Sequence, residues 1–114
     1  MKSSKLLQKQ RQEILLGLNS LEQIRRGSIN QQFVEASLKD GRKVKRGPYT
    51  VYSFKDDKQK TVSRYLSNPD EIQMYRKQID DFRRFQKLTK RFLLIGEQLS
   101  DLAVEDPSAV KKTI

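Results

Sequence analysis

The sequence of 114 residues contains no histidine, no cysteine and no tryptophan. Without cysteine the chain cannot form a disulfide, which is typical of proteins in a reducing compartment. Without histidine and cysteine, a structural zinc site and a thiol or imidazole nucleophile are excluded as well. We therefore expect neither a metal nor a cofactor, and any acid-base chemistry would fall to carboxylates, lysine or tyrosine.

Long apolar runs are also missing. The longest fully apolar run covers residues 92–95, far short of the roughly 20 residues that a membrane-spanning helix requires. Residues 6–11 mix glutamine, lysine and arginine with leucine, unlike the apolar core of a secretory signal. We expect a cytoplasmic protein that has no membrane partner.

Signals of catalysis are weak. Adjacent acids occur at Asp56 and Asp57, Asp70 and Glu71, and Asp80 and Asp81. Each pair has a simpler role in a turn, at a helix start or on a helix surface. The chain has no glycine-rich phosphate loop and no nucleophile motif. Because an active site needs several convergent polar groups, we do not expect an enzyme.

Positive charge, by contrast, is abundant. The chain has 24 Lys and Arg against 14 Asp and Glu, a net charge of +10. Residues 25–67 hold eleven of these cations and only four acids, a local net charge of +7. Such an excess is typical of a surface for nucleic acid or for an anionic membrane, or of a solvated face without a partner. The concentration of cations in residues 25–67 favours a polyanion as the binding partner.

A helix is predicted on the N-terminal side of the basic region, over residues 4–26. Its apolar residues recur at helical spacing, as in Leu7, Ile14 and Leu18. Arg25 and Arg26 would then occupy the last turn, where the helix dipole favours cations, and Gly27 would form the C-terminal cap. The cap statistics favour this structural role, but the two arginines could also contact phosphates, and both roles are compatible.

A second helix is predicted over residues 69–104. Asn68 has the character of an N-cap and Pro69 suits the first helical position. Apolar residues then follow in steps of three or four, at Ile72, Tyr75, Ile79, Phe82, Phe85, Leu88, Phe92, Ile95, Leu99 and Leu102. Consecutive steps of three at Phe82, Phe85 and Leu88 break the heptad, which predicts local overwinding or a change of packing partner there.

Three strands are predicted between the helices. Residues 29–36, 49–54 and 60–66 are rich in strand-forming residues, and polar turns separate them. Gly47 and Pro48 would end a basic loop at residues 37–48 and begin the second strand. We therefore predict an α+β fold in the order α-β-β-β-α, with a three-stranded antiparallel meander over residues 28–66.

The whole of residues 1–105 is predicted to be a single domain, followed by a flexible tail at residues 106–114. The two helices would form an antiparallel hairpin. A short sheet cannot cover both helices along their length, so their far ends would pair as a coiled coil or form a homodimer.

Basic side chains interleaved with aromatic ones are typical of a nucleic-acid surface, since cations meet phosphates and rings stack on bases. Strand alternation places Tyr49 and Tyr52 on opposite faces of the sheet, and one of these faces must be the core. The candidate nucleic-acid-binding residues are Arg25, Arg26, Lys39, Arg42, Lys43, Lys45, Arg46, Tyr49, Tyr52, Lys58, Lys60 and Arg64.

Several short motifs carry a resemblance: Ile24-Arg25-Arg26-Gly27-Ser28-Ile29, Gly47-Pro48-Tyr49, Val62-Ser63-Arg64-Tyr65-Leu66, and Tyr75-Arg76 with Phe82-Arg83-Arg84-Phe85. Over roughly residues 18–102 the chain resembles a family of short uncharacterised prokaryotic proteins often found near mobile-element genes. The resemblance implies an accessory or DNA-binding role linked to transposition. Many relatives carry cysteines before the Gly-Pro-Tyr motif, whereas residues 36–46 here have none, so no metal is implied.

Two functions remain open on the sequence. The first is a nucleic-acid-binding module, with DNA favoured over RNA, that uses the basic loop and the following hairpin. The second is a helical interaction or dimerisation module whose charge only keeps it in solution. The concentration of charge between the helices favours the first.

Overall fold

The computed structural model describes residues 3–105, and the predicted tail at residues 106–114 lies outside this range. The elements are α1 (Ser4–Asn19), β1 (Ser28–Ser37), β2 (Lys43–Lys55), β3 (Thr61–Leu66) and α2 (Pro69–Glu105). The order α-β-β-β-α confirms the predicted α+β fold. Among the described residues, no helix is both long and apolar enough to cross a membrane.

Helix α1 is shorter than predicted. The Ser3 side chain caps its start by accepting the backbone N–H of Leu6 at 3.2 Å. The helix ends at Asn19 rather than at residue 26. The Ser20 hydroxyl donates to the Gly17 carbonyl at 2.6 Å, and a serine that bonds to a nearby backbone group in this way competes with the helical pattern. Gly17, Asn19 and Ser20 also have low helix propensity.

Gly27 is not the cap of a helix, contrary to the sequence-based prediction. Its φ of 123° lies in the region that favours glycine. A Cβ atom at this position would lie 2.5 Å from the Ser53 carbonyl oxygen and 2.6 Å from a ring carbon of Tyr52. A glycine is therefore required because the backbone passes directly against β2.

The three strands form an antiparallel sheet in the order β1-β2-β3, as predicted. The β2–β3 turn is held by Asp56, whose carboxylate accepts the backbone N–H groups of Lys58 and Lys60. Strand β3 pairs only with residues 50–55 of β2. The remaining part of β2 pairs with β1 alone, and residues 33–48 therefore form a two-stranded extension, which we call the β-arm.

A bulge lies at the base of the β-arm. Gln32 pairs with Tyr49 and Val34 with Arg46, so Gly47 and Pro48 together lie opposite Phe33. Gly47 has a φ of 128°. The prediction that Gly47 and Pro48 begin the strand is wrong, because they lie in its interior, where a bulge tolerates a proline that lacks an N–H. The predicted loop over residues 37–48 is correspondingly reduced to residues 38–42.

The described residues divide into two compact units, and the helices make up the first, residues 3–22 and 83–105. Its buried residues are Leu7, Ile14 and Ile95. The helices are antiparallel, since Gly17 lies against Leu88 whereas Arg11, earlier in α1, lies over the ring of Phe92, later in α2. The predicted hairpin of helices is confirmed.

The second unit, residues 23–82, contains the sheet and the first part of α2. Its core consists of Tyr52, Leu66, Tyr75 and Ile79, all buried. Helix α2 therefore contributes its early apolar residues to the sheet and its later ones to α1, which confirms the predicted change of partner. The division falls at Phe82, where the heptad pattern breaks. A single domain over residues 1–105 stays a prediction.

Candidate nucleic-acid interface

The β-arm carries five of the predicted cations. Lys39 and Arg42 belong to the tip at residues 38–42, and Lys43, Lys45 and Arg46 belong to β2. The tip is a tight turn, closed by hydrogen bonds from the Leu38 N–H to the Arg42 carbonyl (2.7 Å) and from the Gly41 N–H to the Leu38 carbonyl (3.0 Å). Short strand pairing and a tight turn thus hold all five cations within one hairpin.

Two acids partly offset this charge. Arg42 forms an ion pair with Asp40 at 2.6 Å, and Lys43 forms one with Glu35 at 3.5 Å. All four side chains are exposed, and such surface pairs contribute little stability and exchange readily with other partners. The described residues provide no ion pair to the other three arm cations, Lys39, Lys45 and Arg46. The arm keeps a net charge of +3, from five cations and two acids.

The arm cations lie on both of its faces. The ladder pairs Lys45 with Glu35 and Lys43 with Ser37 on one face, and Arg46 with Val34 on the other. Consecutive residues of a strand point to opposite faces, so Lys45 and Arg46 project in opposite directions. The arm is therefore positively charged on either side and at its tip.

Lys58 and Lys60 do not join this cluster. They lie in the β2–β3 turn, whereas the arm tip precedes β2, and consecutive turns of an antiparallel meander lie at opposite ends of the shared strand. Because β2 spans 13 residues, roughly 40 Å of extended chain separates the two ends. The basic loop and the β2–β3 turn, both counted among the candidate nucleic-acid-binding segments, therefore lie at opposite ends of β2.

Arg26 lies at the same end as the β2–β3 turn. Together with Lys55, Asp56 and Asp57 it lines an open pocket of about 590 Å³. The two acids balance the two cations there, so this pocket lacks the charge excess of the β-arm.

The Arg25 side chain packs within the second unit instead of projecting into solvent. Its guanidinium carbon lies 3.9 Å from the centroid of the Tyr75 ring, and its Nε donates to the Gln78 side chain at 2.8 Å. Arg64 is exposed but donates to the Tyr75 hydroxyl. Because Tyr75 and Gln78 already hold its guanidinium, we leave Arg25 out of the candidate surface.

Tyr52 is also excluded from the surface. Only 3% of it is exposed, its ring packs edge-on against Tyr75 with centroids 5.0 Å apart, and its hydroxyl donates to the Arg26 carbonyl. Its prediction as a nucleic-acid contact is wrong, since its face of β2 is the core face.

The opposite face of the sheet, which we call the open face, carries two exposed tyrosines, although Val51 between them is buried. Tyr49 is 41% exposed, and Tyr65, which the sequence-based prediction missed, is 67% exposed. Their rings meet edge-on with centroids 5.9 Å apart. Tyr65 pairs with Val51 in the ladder and so shares a face with Tyr49. The Val-Ser-Arg-Tyr-Leu run alternates correctly, but the register that fixes its face is not readable from the run itself.

Within residues 3–105, no group of three or more carboxylates lies close enough together to hold a metal ion.

Comparisons with known proteins give no identification: no family model, no curated protein and no solved structure matches the chain.

Proposed function

We propose that this protein binds nucleic acid, DNA in preference to RNA, through the β-arm, and acts as a non-enzymatic accessory protein. The observation that carries the proposal is the set of five exposed cations on one hairpin that holds only two acids. Neutralising phosphates releases condensed counterions, which supplies sequence-independent affinity.

The shape of the β-arm supports a duplex as the ligand. A two-stranded ribbon fits into the major groove of B-DNA, which is about 12 Å wide. Lys45 and Arg46 project from opposite faces of the ribbon. An inserted arm would therefore meet the phosphates on both sides of the groove. RNA duplexes have a narrow major groove that excludes such a ribbon, and this difference favours DNA.

The open face of the sheet adds a second kind of contact. Tyr49 follows directly after the bulge at the base of the arm, and Tyr65 lies beside it. Exposed tyrosines in this position offer stacking surfaces for unpaired bases. The proposed interface therefore consists of Lys39, Arg42, Lys43, Lys45, Arg46, Tyr49 and Tyr65.

The proposed link to a mobile element has a narrower basis, because it comes from the family resemblance of the sequence motifs alone. Binding assays on the purified protein test the nucleic-acid part of the proposal independently of it. A helical interaction module remains the alternative, and the exposed leucines of α2 favour an additional role of that kind.

The deciding experiment is fluorescence anisotropy with labelled duplex DNA, single-stranded DNA and structured RNA at about 50 and 200 mM salt. If all five arm cations contact phosphates, affinity for duplex DNA falls by about 10²- to 10³-fold between these two conditions. Replacing Arg42, Lys43, Lys45 and Arg46 with Gln removes most of the affinity and most of the salt dependence.

A matched variant removes four exposed cations outside the arm, Lys5, Lys9, Lys55 and Arg76, again by replacement with Gln. It has the same net charge as the arm variant, and we expect it to retain most of the affinity. Equal losses in the two variants would mean that net charge, rather than the arm, is responsible. If the folded wild-type protein bound none of the three nucleic acids, the proposal would be wrong.

A further inference from the structure

The outer face of α2 carries two large apolar side chains that nothing covers in the first unit. Leu93 is 62% exposed and Leu94 is 54% exposed, while the neighbouring Ile95 is 5% exposed. The stripe that packs with α1 consists of Leu88, Phe92, Ile95, Leu99 and Leu102. Leu94 lies outside this stripe because each residue turns the helix by about 100°.

Charge is distributed asymmetrically along the same helix. Lys87, Lys90 and Arg91 precede Leu94, whereas Glu97, Asp101 and Glu105 follow it. All six side chains are exposed, and none has an ion pair among the described residues. The segment therefore has a basic half and an acidic half, with exposed leucines between them.

The spacing of these charges is symmetric about Leu94. Lys87 lies seven residues before it and Asp101 seven residues after it. Seven residues complete nearly two turns, so Lys87, Leu94 and Asp101 share one face of the helix. Lys90 and Glu97, which are seven residues apart, lie on one common edge of this face, whereas Arg91 lies on the other edge.

From this symmetry we infer that a second copy of the chain packs antiparallel against α2, with a two-fold axis at Leu94. In that register Lys87 lies opposite the partner's Asp101, and Lys90 lies across from the partner's Glu97, because a two-fold axis brings each edge of the face against the same edge of the partner. The two Leu94 side chains meet at the axis and remove apolar surface from water. A two-fold interface uses the same surface on both copies, as this face does.

Two other occupants fit this face less well. A parallel second copy would place Lys87 opposite the partner's Lys87, and juxtaposed like charges are unfavourable. A nucleic acid would be attracted by the basic half but repelled by the acidic half. The inferred dimer does not depend on nucleic-acid binding by the β-arm.

Charge reversal tests whether these charges meet across an interface between two copies. One variant combines Lys87→Glu with Lys90→Glu, and the other combines Glu97→Lys with Asp101→Lys. Each variant alone juxtaposes like charges across the axis, so we expect its self-association to weaken by at least about tenfold. A mixture of the two variants restores every opposite-charge pair, and we expect it to form a heterodimer about as tightly as the wild-type protein forms a homodimer.

The measurement is sedimentation equilibrium of the full-length proteins from about 1 to 100 µM without nucleic acid, with helix content checked by circular dichroism. A dimeric wild type, two weakened variants and a restored mixture would support the inference. A wild-type protein that stays monomeric at about 100 µM would overturn it. Two variants that associate as tightly as the wild type, or a mixture that fails to associate although each variant is folded, would also overturn it.

Discussion

The guanidinium of Arg25 stacks on the ring of Tyr75, with its carbon 3.9 Å from the ring centroid. The backbone N–H of Arg25 also donates to the Gln78 carbonyl at 3.0 Å, and its Nε donates to the Gln78 side chain. These contacts fix the segment that follows α1 against α2 within the second unit. One of the arginines counted among the candidate phosphate contacts is thus part of a packed aromatic cluster.

Replacing Arg25 with Gln should therefore destabilise the fold while leaving nucleic-acid affinity intact. The loss of a partly buried cation–π contact and a charged hydrogen bond should cost about 1–3 kcal/mol in the free energy of unfolding. Urea denaturation followed by circular dichroism measures the cost. Arg26→Gln is the matched control, because the Arg26 side chain is exposed and only its carbonyl bonds to Tyr52. A lower affinity without lower stability would contradict the structural role.

Tyr52 allows a separate test of the core. The variant Tyr52→Phe keeps the ring but loses the hydroxyl that donates to the Arg26 carbonyl, so the unfolding free energy should fall by about 1 kcal/mol. The same change in the exposed Tyr65 should have almost no effect on stability. Thermal denaturation of both variants distinguishes the two environments, and equal effects would mean that the Tyr52 hydroxyl is not held as described.

The open face gives a prediction about unpaired bases. Because exposed aromatic rings stack on bases with roughly 1–3 kcal/mol each, Tyr65→Ala should weaken binding of single-stranded DNA by about tenfold. Tyr65→Phe, which keeps the ring, should bind like the wild-type protein. Anisotropy titrations with a labelled single strand measure both. If the alanine variant bound as tightly as the phenylalanine variant, the open face would not contact bases.

Gly27 and Gly96 should respond in opposite directions to substitution by alanine. At Gly27 a Cβ would lie 2.5 Å from the Ser53 carbonyl oxygen, and the φ of 123° disfavours any side chain. We therefore expect Gly27→Ala to lower the free energy of unfolding by at least about 2 kcal/mol. At Gly96, inside α2, a Cβ would meet nothing within 4 Å. Because alanine has a higher helix propensity than glycine, Gly96→Ala should raise the free energy of unfolding by about 1 kcal/mol. Urea denaturation of the two variants measures both changes, and a Gly27→Ala variant as stable as the wild type would contradict the close approach to β2.

The features that sequence predicts well here are local. The start of α2 is specified by Asn68, whose side chain accepts the backbone N–H of Asp70 at 2.9 Å, and by Pro69 one residue later. The break in the apolar ladder at Phe82 likewise marks the division between two cores. Both signals need only a few adjacent residues to be read.

The features that sequence predicts poorly depend on distant partners. The requirement for Gly27 comes from β2, some 25 residues later in the chain. The bulge that places Gly47 and Pro48 inside a strand depends on pairing with Phe33. The exposure of Tyr65 follows from a register that a single-residue slip would reverse. The proposed interface accordingly omits Tyr52 and Arg25, which pack within the second unit, and gains Tyr65. It also omits four cations that lie away from the β-arm, namely Arg26, Lys58, Lys60 and Arg64.

The inferred dimer axis yields a final prediction that uses the absence of cysteine from the chain. In an antiparallel pair with its axis at Leu94, this position lies opposite the same position of the partner. Leu94→Cys should therefore form a disulfide-linked dimer under mild oxidation, because the two Cβ atoms can approach to the roughly 4 Å that a disulfide needs.

Gln86→Cys is the matched control for this experiment. Gln86 is exposed on the same helix, but it lies eight residues before Leu94, so in the inferred register the two copies of this residue are about 24 Å apart along the axis. Non-reducing gel electrophoresis should show rapid, nearly complete cross-linking for Leu94→Cys and slow, concentration-dependent cross-linking for Gln86→Cys. Equal rates for the two variants would indicate random collision and rule out an axis at Leu94.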